Sequence, residues 1–345
     1  KEERHMSHVM QYQPQWVRED FVDFIAEKIN PVWAWKKVKA TLVSIQMIGD
    51  DFYQIQLQPN RNFETTAFRA GQSILVTVVI AGVRQQRSYS IVKMTDTGNI
   101  LIAVKRQGKV SNVLTNLAVA TVIEISQVQG DFTLSSSQQP ILLLASGSGI
   151  TAIYSILQQA LRQNVSQIDL IYFSRDQAFH DELQNLANQH TQLNFHTFNT
   201  LQQKQHLSLE LLQDLVPDFQ QRQSYACGAQ GMMQSINQIY QDLGLIEQLK
   251  QEYFPMMVDE NASVQPVVFL RAQQQFEAST NLLESAERVG LRPTHGCRMG
   301  ICNTCTCTKV SGSTKNLITG EIDHASNTQI KLCISQAVSP VVINL

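Results

Sequence analysis

The feature that most restricts how this chain can fold is a change of pattern at Gln138–Pro140. Before it, from Val38 to about Leu134, short β-rich runs are separated by turn signals: Thr41–Ile45, Tyr53–Leu57, Ser73–Val79, Arg87–Val92, Ile100–Lys105 and Val122–Gln127. Short strands at this spacing predict an antiparallel β-barrel. After it, an all-apolar run (Ile141–Ala145), a glycine turn, a helical stretch (Thr151–Arg162), a second apolar run (Ile168–Phe173) and another helix (His180–Gln189) follow one another. Continuous apolar strands joined through helices predict an α/β domain with a doubly wound parallel sheet. Phe195–Phe198, Leu207–Leu215, Ser224–Cys227 and Met232–Leu243 continue the alternation. The regularity lapses near Pro255–Gln265. A third region opens with the strand Val267–Arg271 and a helix capped by Asn281 that runs through Arg288, with Glu284 at the capping-box spacing.

The 345 residues therefore divide into a barrel (38–137), an α/β domain (138–254), a linker (255–262) and a third domain (263–345). Residues 1–37 read as a tag remnant, Lys1–His5 ahead of Met6, and an N-terminal extension that holds all three tryptophans, Trp16, Trp33 and Trp35. The extension is expected to pack on the barrel. Lysine plus arginine number 27 against 29 acids, a net charge of −2, so no basic excess draws the chain to nucleic acid or an anionic membrane. The longest apolar runs, Ile74–Gly82 and Ile141–Ala145, fall short of the ~20 residues that span a bilayer. No signal peptide opens the sequence, which predicts a cytoplasmic location.

Four of the six cysteines crowd into Cys297–Cys307, which suits a metal site better than a disulfide framework. Cys297, Cys302 and Cys305 are separated by four and then two residues, and Cys333 follows after 27 more. This C-x4-C-x2-C…C spacing is that of a 2Fe-2S centre, four thiolates around two irons. Gly296, Gly300, Asn303 and Thr304 let backbone N–H groups turn toward the sulfides. The alternative, a structural zinc, normally takes paired C-x2-C knuckles. The loop His295–Cys307 resembles plant-type ferredoxin domains, and the similarity covers Val264–Leu345. It implies an α+β β-grasp fold and leaves Cys307 an inert buried thiol.

In the barrel, Arg87-Ser-Tyr-Ser90 precedes Val104–Asn112 and Gln129-Gly-Asp-Phe132. In this order, and followed by an α/β domain, the three segments resemble the flavin domain of the ferredoxin–NADP reductase superfamily. The resemblance implies that Arg87, Ser88, Tyr89 and Ser90 bind flavin. Arg87 would pair with a phosphate, Tyr89 would lie against the ring or ribityl chain, and the Ser90 hydroxyl would act catalytically near flavin N5. Val104 and Lys105 join the site, Arg106 is as well read as a solvated strand end, and Val110, Ser111 and Asn112 open a helix toward a diphosphate. That last feature favours FAD, with FMN the alternative.

Gly147-x-Gly149 between a buried strand and a helix start has the geometry that lets a backbone approach a pyrophosphate. With Ile150 and Thr151 it resembles the superfamily's G-x-G-I-T-P turn, except that Ala152 stands in place of proline. The Ser174-Arg175 pair resembles the superfamily's 2′-phosphate contact and favours NADPH over NADH. Tyr225–Met232 matches the superfamily's Cys-Gly segment, which places Cys227, with Gly228 and Gln230, beside the nicotinamide. Glu252-Tyr-Phe254 resembles an E-x-F motif whose aromatic covers the flavin, with simple linker packing the other reading of Phe254.

The implied protein is a reductase with its own ferredoxin. Its flavin would split a two-electron hydride into the single electrons that a cluster accepts. The module order and the tryptophan-bearing extension resemble bacterial reductases of membrane di-iron fatty-acyl desaturases and related hydroxylases. The redox partner protein would then hold the reductase peripherally at the membrane. The reductase of a soluble Rieske-type oxygenase and a cluster-based redox sensor are the alternatives.

Overall fold

The computed structural model describes residues 30–80, 82–176, 178–203, 205–252, 263–295, 300 and 303–345. Strands β1 (Lys39–Met47), β2 (Phe52–Pro59), β3 (Ser73–Ile80), β4 (Val83–Met94), β5 (Ile100–Lys105) and β6 (Val122–Ile125) close into an antiparallel barrel in the order β1-β2-β5-β4-β3-β6. All six expected strands are present. Closure comes from β6, which pairs with β1 at Thr41↔Val122 and with β3 at Val76↔Ile125. Leu42, Ile55, Ile74, Val76, Ile91, Ile102 and Val104 fill the interior, as alternation along each strand requires. Strand β4 starts four residues before the sequence pattern suggests. Its first half, Val83 to Gln86, is mostly polar and shows no apolar alternation, but it is paired with β3 from Ile80↔Val83 to Thr77↔Gln86. That pairing puts Arg87–Ser90 in mid-strand. Helix α1 (Lys109–Leu114), starting at Gly108, buries Val110 and Leu114 against the barrel core.

The second sheet is parallel throughout. Its strands are β7 (Ile141–Ser146), β8 (Ile168–Ser174), β9 (Leu193–Asn199), β10 (Gln223–Cys227) and β11 (Leu249–Glu252), in the order β11-β10-β7-β8-β9. Helices α2 (Ile150–Arg162), α3 (His180–Gln189), α4 (Leu209–Leu215) and α5 (Gln230–Asp242) connect them. Leu143 lies in one apolar cluster with Ile153 and Leu157 of α2, while Leu142 and Leu144 lie in another with Ile236 of α5. Both faces are thus covered, which is why the inner strands β7 and β8 are buried along their whole length and read as largely apolar runs. The order reverses between β7 and β10, and the crevice at the carboxyl ends of such strands is where open α/β sheets bind ligands.

In the third domain β12 (Gln265–Phe269), β13 (Gln274–Ala278), helix α6 (Leu282–Arg288), β14 (Thr306–Ser311), β15 (Thr314–Asn316), β16 (Ile322–Asp323), β17 (Thr328–Lys331), β18 (Ser335–Ala337) and β19 (Val341–Ile343) follow in sequence. They form a mixed sheet, β13-β12-β19-β14-β17, and a small sheet, β16-β15-β18. Leu282, Leu283 and Ala286 of α6 share one core with Val267, Phe269, Cys305 and Cys333, the single-helix arrangement of a β-grasp domain.

The described part of the extension is held on the barrel by polar anchors. The Asn60 side-chain amide donates to the Val32 and Lys37 carbonyls and that of Asn62 to the Ala34 and Lys37 carbonyls, whereas Trp33 and Trp35 are each 54% exposed. Among the described residues no helix is long and apolar enough to cross a membrane.

Candidate flavin, nucleotide and cluster site

Strand β4 delivers Arg87, Ser88, Tyr89 and Ser90 to the wall of a cavity of about 1610 Å³. The hydroxyls of Ser88 and Ser90 are buried and have no hydrogen-bond partner. A buried, unpaired polar atom costs on the order of 1–3 kcal/mol, so two of them on one cavity wall mark a surface shaped for a polar ligand. Burial raises the Tyr89 phenol far above its ordinary range, so the ring stays neutral. The volume exceeds the roughly 300–1,000 Å³ of most small-ligand pockets and suits a flavin dinucleotide.

The cavity is walled by all three domains. Gly108, Lys109, Val110 and Ser111 extend the barrel side, Ser148 comes from the glycine turn and Thr151 from the first turn of α2, and Glu284, His295, Ile318, Cys333 and Ile334 belong to the ferredoxin domain. Sequence reasoning did not foresee this third wall. Ser148, the middle residue of Gly-x-Gly, was legible as a position but not as a site residue.

Several expected side chains have other employment. Val104 is fully buried in the barrel core and does not stand on the cavity wall. The Lys105 ammonium makes an ion pair with Asp176 of the α/β domain at 2.9 Å and lies 5.4 Å from the centre of the Phe52 ring. The Arg87 guanidinium pairs with Glu284 at 2.7 Å. The Ser111 hydroxyl accepts from the backbone N–H groups of Gln107 and Gly108 and closes the start of α1. Asn112 is exposed, outside the cavity wall. Arg106 donates to the Tyr53 hydroxyl at 2.6 Å.

The two glycines of the turn do different jobs. Gly147 has φ +52° with open space where a Cβ would stand, which is room for a ligand. At Gly149 a Cβ would stand 2.0 Å from the Cys227 carbonyl oxygen, so that position is set by the close approach of the turn to β10. Gly228 is constrained likewise, its Cβ position lying 2.2 Å from the Ser146 hydroxyl oxygen. Ile150 and Ala152 are fully buried, and Thr151 donates to the Ser148 carbonyl at 3.0 Å. The Ser174 hydroxyl donates to the Asp176 carbonyl at 2.7 Å and is buried, while Arg175 is exposed.

Cys227 is fully buried at the end of β10 and does not line the cavity. Its parallel partner in register is Glu252 on β11. Glu252 is 2% exposed, one carboxylate oxygen has no partner, and burial raises its pKa to about 8. Burial and the Glu252 charge together push the Cys227 thiol upward. Glu252 was visible in the sequence only as the first letter of E-x-F. Phe254, Cys297, Cys302 and the 255–262 linker lie outside the described residues, as does the side chain of Gln230.

At the cluster end the Sγ atoms of Cys305 and Cys333 are 3.3 Å apart, so these two thiols converge on one place. Their hydrogen bond, with the Lys331 ammonium adding, lowers the Cys305 thiol to about 6, which favours the thiolate that iron requires. Lys331 also donates to the Gly300 carbonyl. Burial pushes Cys307 up to about 12, as fits a thiol that takes no part. The donors present therefore fit a 2Fe-2S centre.

Fold and site together define an electron-transfer reductase with flavin, pyridine-nucleotide and iron–sulfur modules. Family models agree: an oxidoreductase FAD-binding domain matches residues 39–134, an oxidoreductase NAD-binding domain 143–238, and a 2Fe-2S iron-sulfur cluster binding domain 268–337. The chain is 27% identical to a protein named NADPH oxidoreductase from Mycobacterium tuberculosis H37Rv, over 92% of this chain and 86% of that one. It is 30% identical to the ferredoxin reductase component of 3-ketosteroid-9-alpha-monooxygenase from the same strain, over 66% of this chain and 70% of that one. In fold it is similar to phthalate dioxygenase reductase, with a TM-score of 0.69, 22% identity, and coverage of 89% of this chain and 97% of that one. The chain belongs to the ferredoxin–NADP reductase superfamily and is an oxidoreductase of its FAD- and 2Fe-2S-containing kind.

Proposed function

We propose that this protein takes electrons from NADPH and passes them through FAD and its 2Fe-2S centre to a membrane di-iron fatty-acyl desaturase or a related hydroxylase. The observation that carries the reading is the single cavity with Ser90 on one wall, the glycine turn at a corner and Cys333 on another wall. When bound, FAD supplies the conversion of a two-electron hydride into single electrons. The residues around it orient and shield. Ser88 and Ser90 offer unpaired hydroxyls to the flavin ring, Gly147 leaves room for a pyrophosphate, and Glu252 holds a proton behind Cys227 where the nicotinamide is expected.

NADPH is preferred because Asp176, the acid that could accept a ribose hydroxyl, is buried and paired with Lys105, while Arg175 is exposed for a 2′-phosphate. Support for the desaturase-type partner is the extension, which is anchored on the barrel with two half-exposed tryptophans; the near full-length likeness to an NADPH oxidoreductase supports the donor. In this reading the reductase sits peripherally at the membrane through its partner. The monooxygenase component among its relatives favours an oxygenase as acceptor, and the second reading is the reductase of a soluble Rieske-type oxygenase. Anaerobic titration with NADPH and with NADH, followed in flavin and cluster absorbance, tests the donor side. Reconstitution with a desaturase in liposomes against a soluble Rieske oxygenase tests the acceptor. Bleaching by NADH alone, or coupling only to the Rieske enzyme, overturns the corresponding half.

A further inference from the structure

Glu284 is the third residue of helix α6, and its backbone N–H donates to the Asn281 side-chain oxygen at 2.8 Å. At this position a glutamate ordinarily turns back to the N–H of the capping residue and closes a capping box. Here its carboxylate leaves the helix and crosses from the ferredoxin domain to the barrel, where it accepts from Arg87 Nη2 at 2.7 Å. Arg87 Nη1 donates to the Gln86 carbonyl at 2.8 Å. Both side chains stand on the cavity wall and are only partly exposed, 37% for Arg87 and 24% for Glu284. One guanidinium is thus shared by a strand carbonyl and a carboxylate from another domain, at the place assigned to the flavin phosphate.

We propose that Glu284 competes with the flavin phosphate for Arg87 and so sets how strongly the protein distinguishes phosphorylated flavins from phosphate-free riboflavin. The inference rests on the reading of Arg87 as the phosphate partner. A phosphate seated on Arg87 brings a second anion beside the Glu284 carboxylate, and like charges at such range in a half-buried site repel. Phosphate binding must therefore weaken the Arg87–Glu284 bond, one of the polar ties between barrel and ferredoxin domain. Another tie, from Gln234 of the α/β domain to the Thr319 carbonyl at 2.8 Å, is left intact. Glu284 acts through Arg87 and is a positioning residue.

The test is fluorescence titration of the full-length protein, stripped of flavin but retaining its cluster, with FAD, FMN and riboflavin. Glu284→Gln should tighten FAD and FMN about tenfold, since a charge-assisted contact no longer has to be displaced, and leave riboflavin unchanged. Glu284→Asp, whose shorter side chain falls away from Arg87, should act in the same direction, which separates competition from loss of fold. Arg87→Gln should weaken FAD and FMN selectively and erase the effect of Glu284→Gln in the double variant. If Arg87→Gln weakens FAD but neither Glu284 variant tightens it, the competition is refuted and the phosphate reading stands. If Arg87→Gln leaves the FAD-to-riboflavin ratio unchanged, the phosphate reading fails and the proposal with it.

Discussion

Replacing Glu252 with glutamine should remove most of the pH dependence of stability in the α/β domain. The carboxyl is 2% exposed, and burial raises its pKa from 4.5 to about 8. A raised folded-state pKa means that the native state holds the proton more tightly than the unfolded chain. The stabilising effect is fully present below about pH 4.5 and is lost as pH rises through about 8. At about 1.36 kcal/mol per unit, the shift corresponds to at most about 5 kcal/mol, and relaxation around the ionised group reduces this to about half. Glutamine has nearly the same shape and no charge, so Glu252→Gln should match the wild type near pH 5 and melt higher by several degrees at pH 8. The assay is thermal unfolding followed by a probe in the α/β domain, because a three-domain chain does not unfold in one two-state step. Cys227, which faces the same carboxylate, gives a second readout: without the Glu252 charge its thiol should react faster with an alkylating agent at high pH. Parallel melting curves for the two proteins from pH 5 to 8 would show that Glu252 ionises freely and would refute the argument.

Ser90→Ala should slow flavin reduction by NADPH roughly 10- to 100-fold in stopped flow while leaving the melting temperature unchanged or slightly raised, because the hydroxyl has no partner to lose; a marked fall in stability would contradict this. Gly149→Ala places a Cβ 2.0 Å from the Cys227 carbonyl oxygen and should destabilise by about 2–3 kcal/mol or more in denaturant unfolding. Gly147→Ala meets no atom and should cost only about 1 kcal/mol for its positive φ, with the larger loss in NADPH affinity. Cys305→Ser and Cys333→Ser should abolish the cluster's visible absorbance, whereas Cys307→Ser, at a thiol pushed up to about 12, should keep it.

Local pattern carried much of the architecture. Short β-rich runs between turn signals announced the barrel strands, unbroken apolar runs announced a sheet covered on both faces, and cysteine spacing announced the cluster, because each depends on residues a few positions apart. The R-x-Y-S, Gly-x-Gly and Cys-Gly segments were legible for the same reason. What the sequence could not carry were relations between distant segments. The polar half of β4 is a strand only because β3 pairs with it. Gly149 is a glycine because β10 passes beneath the turn. Glu252 is held neutral because β11 packs on β10 and buries its carboxyl, and Arg87 meets Glu284 across 197 residues. Periodicity and spacing are properties of one segment in water, so the sequence by itself determined most of the elements and the presence of an iron–sulfur module; register, burial and charge pairing arise only when domains pack and exclude water, and those the tertiary structure decided.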